Sequence, residues 1–453
     1  MPGKKPSGAR SLALELIKRV EKDQAFLDRL IDSFQNKSNL KEVDRRLLSE
    51  LAYGTIRHRR FLDFYLEQVL DRGINQTDLT TRSILRLGAY QLFFLDRVPA
   101  RAAVNESVEL SAKHARPIIN AVLRKLSERR DSLKSPDDLS DKTARLGVKY
   151  SHPDWMVDLF IRRFGEGEAE LLLAANNQRP ETTLRVNTLR NSREELLELF
   201  EKHGVESAAG QYSPLAIRLK GRQYPGLLPG YKEGLFAVQD EASQVVVLML
   251  SPKAGENVLD ACAAPGTKSL EIFQFMDKKG LLVSADINGA RLSLARKEAG
   301  RLGLEGFETL VQDLTEPLKL KEKLPDGFDR ILVDAPCTGL GTIRHHPEIK
   351  WHRTPEDVPK LAELQKKLLK NLSRRLAPAG VLVYSTCTAT SEENEQVISA
   401  LTSEGEFQID DPAPHLPQSA LPMIRNKVLQ TLPDKHGTDG FTAFRLVKRT
   451  NKI

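Results

Sequence analysis

The chain has 453 residues, of which 40% are hydrophobic and 28% charged, with a formal net charge of +7. That is ordinary for a globular protein, gives room for two or three domains each with its own core, and admits a polyanionic partner without requiring one. Three cysteines (Cys262, Cys337 and Cys387) are too few for a disulfide scaffold and too widely spaced for a zinc ribbon, no apolar run reaches membrane-spanning length, and the opening Met1-Pro-Gly-Lys-Lys-Pro-Ser-Gly8 reads as a flexible basic lead without the apolar core of a signal peptide. A reducing, cytoplasmic setting and no membrane partner are expected.

Residues 9 to about 130 carry apolar residues at helical spacing: Leu12, Leu16, Ile17 and Val20, then Leu47, Leu48, Leu51 and Ile56, then Phe61, Phe64, Tyr65 and Val69. After the Val98-Pro99 break come Arg101-Ala-Ala-Val-Asn-Glu-Ser-Val-Glu-Leu and Ile119-Asn-Ala-Val-Leu-Arg. These stretches resemble the NusB antitermination-factor fold, which implies an all-helical RNA-binding domain over 1–135. The basic run Arg57-His58-Arg59-Arg60 is then either a solvated helix face or a set of RNA phosphate contacts. Residues 136–150, within a polar stretch, read as a linker. From 151 to 235 the pattern is mixed: helices at 155–164 and 168–176, a strand at 182–187, a helix at 192–203 and a strand near 215–219. In the strand Arg185 and Asn187 alternate with Leu184 and Val186, so they are expected to face away from the core.

From 236 to 453 strands and helices alternate, the pattern of a doubly wound parallel sheet. Strands are expected at 257–261, 281–285, 309–312, 330–334 and 381–385, with a closing strand at 441–447, and Ser403 to Pro422 as a surface connection. The first strand runs into Asp260-Ala-Cys262-Ala263-Ala264-Pro265-Gly266-Thr267-Lys268. Small residues let a ligand approach the backbone, and a helix starting there offers free N–H groups to the carboxylate end of a small ligand. Thr267 is expected to cap that helix. The loop is neither a G-x-G-x-x-G nor a phosphate-loop motif.

The letters of this loop resemble the cofactor loop of the S-adenosylmethionine-dependent RNA cytosine-C5 methyltransferases, the Sun/Nol1/Nop2 family. The resemblance extends over almost the whole chain and is most specific at 258–268, at Val333-Asp334-Ala-Pro336-Cys337-Thr-Gly-Leu-Gly, and at Ser385-Thr386-Cys387-Thr. It implies an α/β, Rossmann-like methyltransferase domain preceded by a NusB-like domain and a small α/β subdomain. It also implies S-adenosylmethionine as cofactor and a cytosine in RNA as substrate. The helical front domain points within the family to 16S rRNA. Base chemistry requires the ring out of the stack, so the target is expected to be unpaired or flipped. A monomer is expected, though no motif reads out the oligomeric state. The motifs describe chemistry rather than address, so tRNA or another rRNA cytosine stays open, as does an RNA-binding protein with a relic methyltransferase domain.

The candidate residues fall just after successive strands, where open parallel sheets bind ligands. Asp286 ends the second strand and suits ribose hydroxyls; Asp313 follows the third and suits an adenine amino group. With Cys262 to Lys268, and with Asp334 bordering the methionine end, they form the expected cofactor site. Cytosine C5 is too poor a nucleophile to accept a methyl group unaided; a thiolate adding to C6 makes it an enamine. The resemblance assigns the nucleophile to Cys387 and a resolving role to Cys337, although DNA enzymes use a Pro-Cys such as Pro336-Cys337. Asp334 is the expected N3 partner. Cys262 reads as a non-reacting residue of the loop. The family's Pro-Gly-Gly-Lys is here Pro265-Gly266-Thr267-Lys268. Lys268 is either a ligand contact or a solvated helix start. His345 and His346 are expected to hold no metal, and Trp351 either stacks on a base or packs half-buried.

Overall fold

The structure, a computed structural model, describes residues 8–37, 40–221, 223–318 and 324–449; the expected basic lead through Ser7 lies outside them. The chain divides into two compact units, Met1–Gln178 with Ile343–Arg353, and Arg179–Thr342 with Thr354–Ile453. No described helix is long and apolar enough to cross a membrane.

The first unit is all-helical. Helices Ala9–Asp23, Glu42–Arg57, Leu79–Phe94 and Arg116–Arg129 bury Leu16, Ile17, Leu48, Leu51, Ile84, Leu87 and Leu123 in one core, on the spacing the sequence shows. Asp78 caps the third of these helices by accepting from the Thr80 and Thr81 amides. Helices also approach closely at Gly54, where an added Cβ would lie 2.0 Å from the Tyr90 ring. Gly54→Ala therefore forces the Tyr90 ring or the helix aside, and is expected to cost about 1–3 kcal/mol, read as a lowered midpoint for loss of helical circular dichroism. Buried Arg86 meets Asp63 at 2.7 and 2.9 Å and Glu21 at 2.7 Å, so its charge is fully paired inside the bundle.

Two sequence expectations need correction here, and one open alternative is decided. The stretch taken as a linker folds: Ser135 and Asp138 form a reciprocal capping box, and Asp141 caps the helix Lys142–Lys149. The basic run at 57–60 is not a freely solvated face, because its groups are engaged inside the unit. Arg57 donates to the Arg344 carbonyl at 2.8 Å, His58 stacks on Phe94 at 4.2 Å, Arg59 lies 5.2 Å over the Trp351 ring, and Arg60 reaches the His152 carbonyl and Asp154. Burial pushes the His58 imidazole down to about 3, so it is neutral. Trp351 packs rather than presenting its face to a base; its indole N–H donates to the Ile56 carbonyl at 2.8 Å.

The segment Ile343–Arg353 belongs to this unit because it finishes a helix end. Ile56 and Arg57 close the helix Glu42–Arg57, where the carbonyls run out of the regular donors four residues on. The Trp351 indole supplies a donor to the Ile56 carbonyl and the Lys350 amine one to that of Arg57, at 2.7 Å. Burial, with Arg57 beside it, holds the Lys350 amine well below the ordinary lysine range, so it serves here as a hydrogen-bond donor.

The second unit holds two sheets. In the smaller, β1 (Thr182–Val186), β2 (Ser207–Ala209), β3 (Ala216–Leu219) and β4 (Phe236–Val238) lie antiparallel in the order β2-β3-β1-β4. The helix Arg193–Lys202 covers one face with Leu196 and Phe200. Arg185 and Asn187 do lie on the opposite face from Leu184 and Val186, but that face is not solvated. Arg185 donates to Gln239 and, at 3.0 Å, to the Thr267 carbonyl, while Asn187 donates to the Gly234 and Leu302 carbonyls at 2.8 Å. A face covered by other elements leaves period-2 alternation intact and reverses its meaning for polar residues.

The larger sheet carries the site. β5 (Asn257–Ala261), β6 (Leu281–Asp286), β7 (Glu308–Val311), β8 (Phe328–Asp334) and β9 (Leu376–Thr386) are parallel, in the order β7-β6-β5-β8-β9. Helices Thr267–Phe275, Gly289–Leu302 and Asp357–Ser373 make the crossovers. The order reverses between β5 and β8, which makes the carboxyl ends of those two strands the expected ligand crevice. An antiparallel flank of β11 (Ile424–Arg425), β12 (Val428–Gln430) and β13 (Thr442–Lys448) joins β9. The 403–422 region is more than a surface connection, since β10 (Phe407–Asp410) pairs with β13 and buries Phe407.

Candidate active site

The loop after β5 is shaped by backbone rather than side chains. Cys262 has φ 59° and Gly266 φ 101°, and a Cβ on Gly266 would lie 2.2 Å from that of Ala295. Only glycine meets both demands. Thr267 is the first residue of the helix Thr267–Phe275 and its side chain makes no capping bond, which corrects its expected role; Gly266 precedes the helix, so the threonine needs no positive φ and costs nothing there. Asp286, ending β6, accepts from the Ala264 amide at 3.0 Å and the Asn288 amide at 2.8 Å, tying the loop to the next strand.

Below the loop, Asp260 is fully buried. Burial pushes its carboxyl up to about 7, against a hydrogen bond from Ser269; its other oxygen has no partner among the described residues. Burial, with Asp286 and Asp334 nearby, pushes the Cys262 thiol up, so it remains protonated. Asp313 stands one strand further out, exposed, with one oxygen accepting from the Thr315 amide and hydroxyl.

At the ends of β8 and β9 the polar groups converge. Asp334 accepts from Lys268 Nζ at 2.7 Å and from Ser385 Oγ at 2.7 Å. Lys268 is therefore not a solvated helix start. Burial opposes its charge, but Asp334 beside it holds its pKa above the ordinary lysine value. Its ammonium also lies 5.0 Å over the Phe441 ring. With 30% of its side chain exposed, Asp334 can still meet a substrate. Cys337 and Cys387 bring their sulfurs to 3.3 Å. The hydrogen bond to Cys387, together with burial, holds the Cys337 thiol well above the usual thiol range. A thiol kept protonated is a donor to its neighbour.

Sequence reasoning missed the groups that hold the two cysteine loops. Glu393, fully buried, accepts from the Thr338 amide at 2.8 Å and hydroxyl at 2.6 Å, from Thr390 at 2.9 Å and from Gln365 at 3.1 Å. Asn394 accepts from the Thr386 hydroxyl and donates to the Thr388 and Thr390 carbonyls. Gln365 also donates to the Pro336 carbonyl at 2.9 Å. The available signal was the Glu-Glu-Asn run soon after Cys387, which reads from sequence only as a polar helix start. Backbone approaches backbone nearby: the Gly341 amide donates to the Cys387 carbonyl, and a Cβ on Gly341 would meet the Gly440 carbonyl at 1.9 Å.

Comparison with known proteins gives the family. The family described as 16S rRNA methyltransferase RsmB/F matches residues 247–447, the NusB family residues 7–128, and the RsmF/B-like ferredoxin-like domain residues 152–224. The probable ribosomal RNA small subunit methyltransferase B of Bacillus subtilis is 35% identical over 446 residues, 96% of this chain and 98% of its own. The chain belongs to the RsmB/F family of 16S rRNA methyltransferases. A Synechocystis relative given the same description is 36% identical over 447 residues, covering 97% and 99% of the two chains. The crystal structure of PH0851 shares 25% identity and superposes with a TM-score of 0.81 over 98% of this chain and 99% of its own. In RsmB/F terms the unit holding β5 to β13 is the methyltransferase fold, and the helical N-terminal region is the NusB-like domain.

Proposed function

We infer that the protein methylates C5 of a cytosine in 16S rRNA, using S-adenosylmethionine and a covalent bond from Cys387 to C6. The observation that carries this is the Cys337–Cys387 pair, sulfurs 3.3 Å apart, beside an Asp334 carboxylate salt-bridged to Lys268. The cofactor fits the residues present. The Gly266 turn excludes side chains where a ligand would press on the backbone, Asp286 offers ribose acceptors, Asp313 an acceptor for an adenine amine, and the unpartnered Asp260 oxygen can take a further donor. S-adenosylmethionine, when bound, supplies an electrophilic methyl group that the activated C5 carbon accepts.

The chain's own residues account for the rest. Cys387 attacks as a thiolate, forming the S–C6 bond. The electron pair displaced toward N3 is met by a proton delivered through Asp334, with Lys268 as the adjacent proton-bearing group. C5 then carries the density needed for methylation. Loss of the C5 proton drives out the Cys387 sulfur as the C6–S bond breaks and N3 gives up its proton. Cys337, donating its S–H hydrogen bond, stabilises the Cys387 thiolate before attack and on departure. A free thiol pair of this kind fits the cytoplasm.

The test is methyl transfer from labelled S-adenosylmethionine to unmodified 16S rRNA, with tRNA alongside, followed by nucleoside analysis. Label recovered as 5-methylcytosine in 16S rRNA is expected. Label in tRNA alone would keep the chemistry and move the substrate; no binding of the methyl donor would overturn the reading.

A further inference from the structure

The geometry points to a divalent-cation site in the helical unit, built from Asp28, His346 and Glu348, that takes a first-row transition ion such as Mn²⁺ or Zn²⁺. This departs from the sequence expectation that the paired histidines hold no metal. Asp28 opens the helix Leu27–Lys37, whereas His346 and Glu348 come from the segment Ile343–Arg353, and all three belong to the same compact unit. One candidate ligand atom from each lies within 4.8 Å of the other two. His346 Nδ1 is 3.9 Å from Glu348 Oε1.

Two polar atoms of this group have no hydrogen-bond partner among the described residues. Glu348 is fully buried; its Oε1 accepts from the Leu27 amide at 2.8 Å, while Oε2 is left unpaired there. His346 Nδ1 is likewise buried and unpaired among the described residues. A buried carboxylate oxygen and a buried ring nitrogen left unsatisfied on neighbouring side chains are costly, and one cation drawn in between them would satisfy both. The imidazole selects against Ca²⁺ and Mg²⁺, and two carboxylates with one imidazole suit Mn²⁺ or Zn²⁺. The separations exceed those of a closed coordination shell, so binding draws the three side chains inward by rotamer changes. The Leu27 amide holds Glu348 Oε1 in place and so orients the carboxylate. Asp28 is only half-buried, which leaves an entry path. The ion would tie the start of the helix Leu27–Lys37 to the segment that caps the helix Glu42–Arg57. Its role is structural and independent of the reaction inferred for Cys387.

The experiment uses the full chain, stripped with chelator and titrated with Mn²⁺, free ion being counted by its paramagnetic resonance signal. Thiolates are poor Mn²⁺ ligands, so the Cys337–Cys387 pair does not compete. Saturable binding of one ion per chain is expected, with a raised thermal midpoint. Asp28→Asn and His346→Gln, both at partly exposed positions, should each weaken binding by at least about ten-fold, the loss that removing even a supporting partner brings. Their helical circular dichroism should remain that of the wild type. Glu348→Gln is a third variant; if it fails to fold, the first two decide. Absence of saturable binding by the wild type, or equal binding by wild type, Asp28→Asn and His346→Gln, would overturn the proposal.

Discussion

Cys387→Ala is expected to lower methyl transfer by roughly 10⁶-fold, the scale of removing a covalent nucleophile, about 8 kcal/mol of barrier. No alternative nucleophile is ready to replace it. Cys262 is held protonated by burial and surrounding carboxylates, and Cys337 is held protonated by its hydrogen bond and burial. Cys337→Ala has a different signature. Attack by Cys387 still occurs, but the departing sulfur loses the neighbouring Cys337 thiol, at 3.3 Å. A protein–RNA adduct that survives denaturation should therefore build up in Cys337→Ala and be absent from Cys387→Ala. Electrophoresis after denaturation, with labelled RNA, reads both at once. An adduct in Cys387→Ala with none in Cys337→Ala would exchange the two roles.

Glu393→Ala is the second large effect. One buried carboxylate serves the Thr338 amide and hydroxyl, Thr390 and Gln365. Thr338 directly follows Cys337, and the loop from Thr388 to Thr390 directly follows Cys387. Alanine leaves several donors buried without an acceptor, at about 1–3 kcal/mol for each that finds none. Misplacing a reacting group by an ångström costs about 10²-fold in rate, and kcat is expected to fall by that order. Affinity for the methyl donor should hardly move, because the groups proposed to bind it lie on or just after β5, β6 and β7, with Asp334 at the end of β8, and none of them bonds Glu393. Glu393→Gln, which keeps one acceptor, should recover part of the rate. A merely structural role would lower the amount of folded enzyme without separating kcat from donor affinity, and that outcome would remove Glu393 from the positioning set.

The motif loops were legible in the sequence because their chemistry sits in contiguous letters. Asp260 to Lys268, Asp334 to Cys337 and Thr386-Cys387 each follow a strand, and strand ends at one rim of a parallel sheet meet automatically. Helix spacing in the first unit was legible for the same local reason. What sequence could not show is partnership across distance. Arg185 and Asn187 face away from Leu184 and Val186 as their alternation implies, but the carbonyls and carboxamide they serve lie 47 to 115 residues away. Arg57 to Arg60 look like a charge patch until their acceptors are seen. Glu393 looks like a helix start until the Thr338 and Gln365 donors arrive. Thr267 turns on a single φ value: the glycine before it takes the unusual conformation, so the departure from the family's second glycine is harmless.

That the helical unit is closed by Ile343–Arg353 has a consequence for how it can be made. During synthesis from the N-terminus, the ten described α-helices up to Asn176 emerge long before the segment that finishes them. Until Lys350 and Trp351 appear, the Ile56 and Arg57 carbonyls lack the donors they have in the complete chain, and Asn177 lacks its Lys350 partner. The nascent unit must wait in an incomplete form while the β5 to β8 region is translated. A fragment ending at Gln178 reproduces that waiting form rather than the finished unit. Supplying residues 343–353 to such a fragment as a separate peptide should restore part of its cooperative unfolding, in the way a missing strand or helix complements a truncated domain.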